Sequence, residues 1–168
     1  MARKPDTPLL DAGDPFPALE LTLTDGRNVA LPGDLTHPYN VVLVNRGAWC
    51  PYCVGQLRAF QVGLSRLTEQ GIGVFSLSAE TQEKSLGLVK EHGLGFPLAY
   101  GASVDGVAQA LGVYYEPRPR QGAPHLHSAG FVLGPGGTVL LAVYSSGAIG
   151  RLVWQDVLGY VQYVRAHP

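Results

Sequence analysis

The sequence predicts a single α/β domain with a central mixed sheet, helices on both faces of that sheet and a β-hairpin near the N-terminus. Apolar strand-like runs alternate with helical periods through the middle of the chain, which is typical of a sheet covered by helices. A turn dipeptide separates two short strand patterns before that region, and a hairpin and a helix follow it. The length of 168 residues suits one domain, which we assign to residues 1–168.

The N-terminal elements follow from period and turn chemistry. Residues 1–18 are rich in Pro and Asp without a clear period, so we expect an extended arm. Residues 19–24 alternate with period two, and Asp25-Gly26 then offers a tight turn into a second strand at 28–31. Residues 40–45 form a nearly continuous apolar run, which predicts a strand buried on both faces.

In the rest of the chain, segments with the helical period alternate with strand-like apolar runs. Leu57, Phe60, Leu64 and Leu67 recur at helical spacing and predict a helix that runs to about residue 67. The later elements are a strand at 71–78, a helix at 81–92, a short strand at 96–100, a short helix at 104–111, a Pro- and Arg-rich loop at 114–128, a hairpin of 131–133 and 139–144, and a helix at 152–164.

Composition excludes several classes of protein. With 46% hydrophobic and 15% charged residues, the chain is too apolar to be a disordered segment. Its formal net charge of −1 lacks the basic excess of a dedicated nucleic-acid binder. No apolar run approaches the ~20 residues that span a bilayer. No apolar stretch typical of a signal peptide follows residues 1–6, so we expect a cytoplasmic location.

The two cysteines, Cys50 and Cys53, are the most informative residues. A secreted disulfide scaffold would carry more cysteines, spread along the chain. One close pair indicates redox chemistry or metal binding instead. In the metal alternative, His125 and His127 would join the two cysteines as zinc ligands, although the two pairs lie far apart in sequence.

Position favours redox chemistry. If Pro51 is the first residue of the helix, Cys50 caps its N-terminus and Cys53 is its third residue. A thiolate at the cap can accept helix N–H groups and lies at the positive end of the helix dipole, which lowers its pKa. The capping argument therefore makes Cys50 the reactive thiolate, and the spacing allows the two sulfurs to form a disulfide.

A strand followed by Cys-Pro-Tyr-Cys and a helix also opens the thioredoxin-like fold. The segment from Val42 to Leu57, above all its Arg-Gly-x-Trp-Cys-Pro-Tyr-Cys part, resembles the peroxiredoxin-like branch of the alkyl hydroperoxide reductase and thiol-specific antioxidant family. The leading hairpin and the strand at 131–133 extend the resemblance over most of the chain. The resemblance implies a thioredoxin-like fold and the reduction of hydroperoxides through a peroxidatic cysteine.

The family pattern Pro-x-x-x-Thr/Ser-x-x-Cys assigns roles by position. It places the peroxidatic sulfur at Cys53, the hydroxyl position at Cys50 and the proline position at Arg46, so two of the three signature residues differ. The second thiol would then act as the resolving cysteine. This assignment of the attacking sulfur disagrees with the capping argument.

The family's second arginine, which would fall near Ser128, is missing. Its substitute could be any of four residues, Arg46, Arg118, Arg120 and Arg151. We select Arg46 as the third catalytic residue, acting with the helix amides to stabilise developing negative charge.

The resemblance also implies the surroundings of the site. We expect Trp49, Tyr52 and Gln56 to contact the substrate, with no metal and no cofactor. The implied partners are a hydroperoxide and a thioredoxin-like or other dithiol reductant, with no nucleic acid and no membrane, and the family relationship allows a homodimer. The alternative is a thiol–disulfide oxidoreductase of the thioredoxin or glutaredoxin kind, although the proline that precedes the facing strand in those proteins is absent here.

Overall fold

The computed structural model describes residues 1–168 and contains nine strands and four helices. The strands are β1 (Leu19–Leu23), β2 (Asn28–Leu31), β3 (Tyr39–Val44), β4 (Ile72–Leu77), β5 (Leu98–Tyr100), β6 (Tyr115–Glu116), β7 (His125–Leu126), β8 (Ala129–Leu133) and β9 (Val139–Tyr144). The helices are α1 (Pro51–Glu69), α2 (Gln82–His92), α3 (Val104–Leu111) and α4 (Trp154–Ala166).

Seven of the strands form one mixed sheet in the order β2-β1-β5-β4-β3-β8-β9. The central strands β3, β4 and β5 run parallel to one another, and the other neighbours pair antiparallel. The predicted α/β fold with a mixed sheet and an N-terminal hairpin is confirmed. The hairpin turns at Gly26, whose φ of 90° needs a residue without a Cβ.

Two apolar clusters cover the two faces of the sheet. One contains buried residues of α1, α2 and α4, including Leu57, Leu88 and Val157. The other contains buried residues of α3, such as Val107, and Phe16 from the N-terminal segment. Because helices cover both faces, β3 is buried on both sides, which explains its continuous apolar sequence.

The region 114–128 differs from the predicted loop. It contains the two-stranded ladder of β6 and β7, in which Tyr115 pairs with Leu126 and Glu116 pairs with His125. Two-residue strands have no detectable period, so the sequence does not show them. Leu126 is fully buried and Tyr115 also bridges to Arg3, which means that tertiary contacts create this ladder.

Four chain segments meet at one end of the large sheet, where β3, β4 and β9 end and β8 begins. Val44, the last residue of β3, is paired both with Leu77 at the end of β4 and with Ala129 at the start of β8. Ala129 is paired in turn with Tyr144 at the end of β9. The segments 45–50, 78–81, 127–128 and 145–153 therefore lie side by side, although they are far apart in sequence.

The N-terminal residues 1–18 run over this body rather than away from it. Arg3 bridges to Tyr115, Pro15 bridges to Thr138, and Phe16 packs edge-on against Phe131 in the core. None of the four helices is both long and apolar enough to cross a membrane.

Candidate active site

The two cysteines lie at the start of α1, where the chain leaves the carboxyl end of β3. Pro51 occupies the first helical turn and Cys50 is the N-cap residue, with the extended backbone that a cap requires. The Cys50 side chain makes no capping hydrogen bond of good geometry, although the backbone N–H of Cys53 lies close enough to favour its thiolate. Both residues are free thiols and both are completely buried.

Hydrogen-bond donors converge on Cys53. The backbone N–H of Arg46 donates to its Sγ over 3.2 Å, and Nη2 of Arg151 donates to the same sulfur over 3.2 Å. The Sγ of Cys50 has longer contacts, with Nη1 of Arg46 and Nη2 of Arg151 both 3.9 Å away. Two guanidinium groups therefore reach the dithiol. Arg46 precedes the two cysteines in the chain, and Arg151 follows them.

The pKa values of the two thiols shift in opposite directions. Burial opposes ionisation of Cys50, but the backbone N–H and the thiol of Cys53, followed by the charges of Arg46 and Arg151, outweigh it and lower the pKa of Cys50. Burial raises the pKa of Cys53, and the charge of Arg151 and the amide of Arg46 offset it only in part. A negative charge on Cys50 raises the pKa of Cys53 further.

These shifts and the hydrogen bonds favour different sulfurs. The lowered pKa belongs to Cys50, whereas the close donors belong to Cys53. Because the two thiols interact directly, they titrate as a pair, and the first proton leaves at a pKa below that of an ordinary thiol. The pair then holds one negative charge and one remaining proton, which the two adjacent sulfurs can exchange.

Arg151 is held in place by its neighbours. Its Nε donates to the carbonyl oxygen of Ala148 over 2.9 Å, and its Nη1 donates to Oε1 of Gln56 over 2.9 Å. Nε2 of Gln56 donates to the carbonyl oxygen of Leu152 over 2.9 Å. Gln56 is buried and supports the arginine that contacts Cys53, and its contact with substrate stays a prediction.

The arginines weighed from the sequence are separated by the fold. Arg46 and Arg151 reach the sulfurs, whereas Arg118 and Arg120 are exposed and contact neither. Arg151 lies 98 residues after Cys53, in the segment that follows β9, and no local pattern marks it.

Two aromatic side chains that neighbour the cysteines in sequence are about half exposed to solvent. Trp49 is 53% exposed and Tyr52 is 54% exposed. The guanidinium carbon of Arg46 lies 4.7 Å from the centre of the Trp49 ring, a cation–π contact. Gly47 has a φ of 142°, and a Cβ there would lie 2.6 Å from Nε1 of Trp49, so glycine lets the indole close over the backbone.

Glu80 is a residue of this region that the sequence did not single out. It is buried just beyond β4, and its Oε2 accepts the backbone N–H of Ala48 over 3.2 Å. The carboxylate thereby ties the loop in front of Cys50 to the neighbouring strand end. Its other oxygen lies 3.5 Å from Nζ of Lys84.

The zinc alternative has no support in the geometry. No three residues among the His, Cys, Asp and Glu side chains lie close enough to hold a metal ion. His125 packs edge-on against Trp49, with ring centres 5.0 Å apart, and His127 lies 5.4 Å beyond it. The two histidines thus lie beside the site without joining the thiols in a ligand set.

Residues 12–141 match the model of the AhpC/TSA family. No curated protein matches the chain. The matched segment includes both cysteines and ends before Arg151.

Solved structures with the same fold share little sequence with this chain. A cysteine-to-serine mutant of peroxiredoxin 6 from Arenicola marina aligns with a TM-score of 0.77 at 19% identity, covering 93% of this chain and 74% of that one. Mycobacterium bovis AhpC has a TM-score of 0.77 at 17% identity, covering 96% of each chain. Peroxidoxin BcpB from Mycobacterium tuberculosis has a TM-score of 0.74 at 19% identity, covering 95% of this chain and 99% of that one.

Proposed function

The chain belongs to the AhpC/TSA family and is a thiol-dependent peroxidase, and we propose that Cys53 attacks the hydroperoxide while Cys50 resolves the product. One observation supports these roles above all others. The close donors, the backbone N–H of Arg46 and Nη2 of Arg151, both lie 3.2 Å from Cys53 Sγ. Donors in that position can stabilise a thiolate and also polarise the oxygen that it attacks.

The first step oxidises Cys53. Its thiolate attacks one oxygen of the O–O bond, so that an S–O bond forms, the O–O bond breaks and an alkoxide or hydroxide leaves. That anion takes a proton and departs as an alcohol or water, and Cys53 becomes a sulfenic acid. The guanidinium of Arg151 lies where it can stabilise the negative charge as the charge passes from sulfur to oxygen.

The second step forms the disulfide. The Cys50 thiol gives up its proton as its sulfur attacks the sulfenic sulfur, the S–OH bond breaks, the hydroxyl group leaves with that proton as water, and a Cys50–Cys53 disulfide remains. Nη2 of Arg151 lies 3.2 Å from the sulfur of Cys53 and 3.9 Å from that of Cys50, so the two thiols share one guanidinium nitrogen and need only a local adjustment to bond. Trp49 and Tyr52 supply the exposed rim past which a hydroperoxide would enter.

An external dithiol protein of the thioredoxin kind would return the pair to the reduced state. Thiol–disulfide exchange transfers the two electrons and leaves the partner oxidised. Such a cycle needs a reducing compartment, so we place the protein in the cytoplasm.

The test is a pair of variants, Cys50→Ser and Cys53→Ser, treated with hydrogen peroxide in the presence of a sulfenic-acid trap. We expect trapping in Cys50→Ser, which keeps the attacker and lacks the resolver. Trapping in Cys53→Ser alone would assign the attack to Cys50. Trapping in neither variant, with no peroxide consumed by the native protein and a thioredoxin-type reductant, would contradict the peroxidase function.

We also propose that two copies pair through β9. This strand ends the large sheet. Gly13 and Asp14 bond to the backbone of its first residue, Val139, but no backbone hydrogen bond reaches the outer edge of residues 141–144, and residues 139–150 contain no charged side chain. Monomeric proteins usually protect such an edge with charges or proline. We expect a dimer in sedimentation equilibrium and a monomer after Val143→Lys. A native protein that sediments as a monomer at all concentrations would refute the pairing.

A further inference from the structure

Four side chains, those of Arg46, Trp49, His125 and His127, form a cluster beside Cys50. The proposed reaction gives no role to the two histidines. The guanidinium of Arg46 lies over Trp49, Trp49 packs against His125, and His125 packs against His127. The guanidinium carbon of Arg46 lies 4.7 Å from the centre of the Trp49 ring, and the two following pairs of ring centres are 5.0 Å and 5.4 Å apart. Nη1 of Arg46 lies 3.9 Å from Cys50 Sγ, so the cluster begins at the dithiol.

Two nitrogen atoms of this cluster are buried without any hydrogen-bond partner, Nε of Arg46 and Nε2 of His127. His127 is only 5% exposed, and its other ring nitrogen, Nδ1, lies 3.4 Å from the carbonyl oxygen of Gly147. An unsatisfied buried polar group costs about 1–3 kcal/mol, so native proteins rarely retain one without a use. Both atoms thus lack a partner within the protein, and a small polar group that displaces the exposed Trp49 side chain would supply one.

The charge of the region favours an anion. Neither Arg46 nor Arg151 has a carboxylate within ion-pair distance, because the three ion pairs of the chain join Met1 to Glu116, Arg27 to Asp25 and Lys84 to Glu80. Once its first proton has left, the reduced dithiol carries one negative charge beside two guanidinium groups. The carboxylate whose charge acts on His127 is that of Glu116, which forms an ion pair with the N-terminal amine.

We propose that Arg46 and His127 form a carboxylate-binding subsite beside Cys50, which holds the carboxylate of an organic hydroperoxide or of a small thiol. The proposal rests on the peroxidase function for its purpose, while the binding itself can be measured without turnover. Arg46 Nε–H donates directly. The Nδ1 of His127 faces a carbonyl oxygen, which only accepts, so the neutral ring carries its proton there and Nε2 donates only after the ring takes up a second proton.

Two signatures follow from this chemistry. Binding should strengthen as the pH falls, since burial and the charges of Arg46 and His125 lower the pKa of His127 and a bound carboxylate opposes those charges. Binding should also be tighter to the oxidised protein, because the disulfide carries no thiolate and leaves both guanidinium charges unopposed.

The direct experiment uses succinate as the probe and uncharged succinamide as its control. The ring resonances of His127 are followed by NMR in the reduced and the oxidised protein. We expect succinate alone to shift them, with higher affinity in the oxidised form. Arg46→Gln should weaken succinate binding about tenfold or more, the value of one charge-assisted hydrogen bond. Arg120→Gln, which removes an exposed arginine away from the sulfurs, should leave the affinity unchanged.

A second pair of comparisons identifies the source of the carboxylate. A fatty-acid hydroperoxide is compared with its methyl ester as oxidant, and glutathione is compared with its diethyl ester as reductant. In one of the two pairs, the free acid should react faster than its ester, and this advantage should disappear in Arg46→Gln. The pair that behaves in this way identifies the ligand of the subsite. Equal rates in both pairs, equal shifts by succinate and succinamide, or unchanged affinity in Arg46→Gln would each overturn the proposal. Failure to consume uncharged tert-butyl hydroperoxide would count against the peroxidase function instead.

Discussion

The side chain of Arg151 reaches both sulfurs of the active site. It approaches Cys53 to 3.2 Å and Cys50 to 3.9 Å, and its other nitrogens are held by Gln56 and by the carbonyl oxygen of Ala148. A guanidinium held in this way loses little freedom when it binds an anion, so its charge is available to the thiolate and to the reacting oxygen.

Replacement of this arginine, Arg151→Leu, should raise the pKa of the dithiol and slow its reaction with peroxide. The charge of Arg151 is the largest of the effects that lower the pKa of Cys53, and it also lowers that of Cys50. A lost hydrogen bond to a charged group costs about 1.5–3 kcal/mol, or roughly 10- to 150-fold in rate. Stopped-flow oxidation gives the rate, and the pH dependence of alkylation by iodoacetamide gives the pKa.

The matched control for this change is Arg118→Leu, which removes an exposed arginine that contacts neither sulfur. Its rate and its alkylation profile should equal those of the native protein. An Arg151→Leu protein that reacts with peroxide at the native rate would show that the guanidinium has no part in the chemistry.

Gln56 should act through Arg151 rather than through the substrate. In Gln56→Leu, Nη1 of Arg151 and the carbonyl oxygen of Leu152 both lose their partner, so the thiol pKa should rise and kcat should fall while KM changes little. Gln56→Glu keeps an acceptor for Arg151 and should retain more of the rate. Steady-state kinetics on both variants distinguish the two roles, since a binding residue would change KM instead.

At the scale of the elements, the contact between α1 and α4 holds the active-site helix against the sheet. Gly63 of α1 lies directly under the ring of Trp154, the first residue of α4, and a Cβ at that glycine would overlap the indole. The glycine permits the close approach of the two helices, at the usual cost of glycine within a helix.

Gly63→Ala should therefore destabilise the protein although alanine is the better helix former. The indole must move to admit the new methyl group, which costs about 1–3 kcal/mol, as overpacking generally does. Chemical denaturation measures the free energy of unfolding. Gly159→Ala in α4 is the control, because a Cβ there meets nothing within 4 Å and should stabilise the protein by about 0.5–1 kcal/mol. Equal effects of the two substitutions would refute this account of the helix packing.

At the scale of the whole molecule, Tyr144 ties three distant parts of the chain together. Its hydroxyl, at the end of β9, donates to the carbonyl oxygen of Leu111 at the end of α3 over 2.7 Å. The same oxygen accepts the backbone N–H of Leu10 in the N-terminal segment over 2.8 Å. Burial raises the pKa of Tyr144 to about 12.

The stability that comes from neutral Tyr144 should be lost in alkali. A raised pKa means that the folded state disfavours the phenolate, so this contribution is complete below the unfolded pKa of about 10 and disappears as the pH rises towards 12. Tyr144→Phe leaves two backbone groups unpaired and should cost about 1–3 kcal/mol at neutral pH. Denaturation curves between pH 7 and 12 should show a steeper loss in the native protein than in this variant, and parallel curves would contradict the assignment.

The chain sequence determined the fold and the position of the dithiol, because both depend on local signals. Apolar runs, helical spacing and Asp25-Gly26 predict the sheet, the helices and the hairpin. Pro51 between the two cysteines predicts the start of α1. The short ladder of β6 and β7 was missed because two-residue strands have no period of their own.

Only the tertiary structure decided which side chains surround the sulfurs. Arg151, Glu80 and His127 reach this region because the ends of β3, β4 and β9 and the start of β8 lie at one end of the sheet. Gln56 appeared in the sequence as a substrate contact, yet its amide is turned to Arg151, 95 residues away. The period of apolar residues predicts which face of a helix or strand is buried. Contacts between distant segments depend on the order of the strands in the sheet, and no local pattern predicts that order.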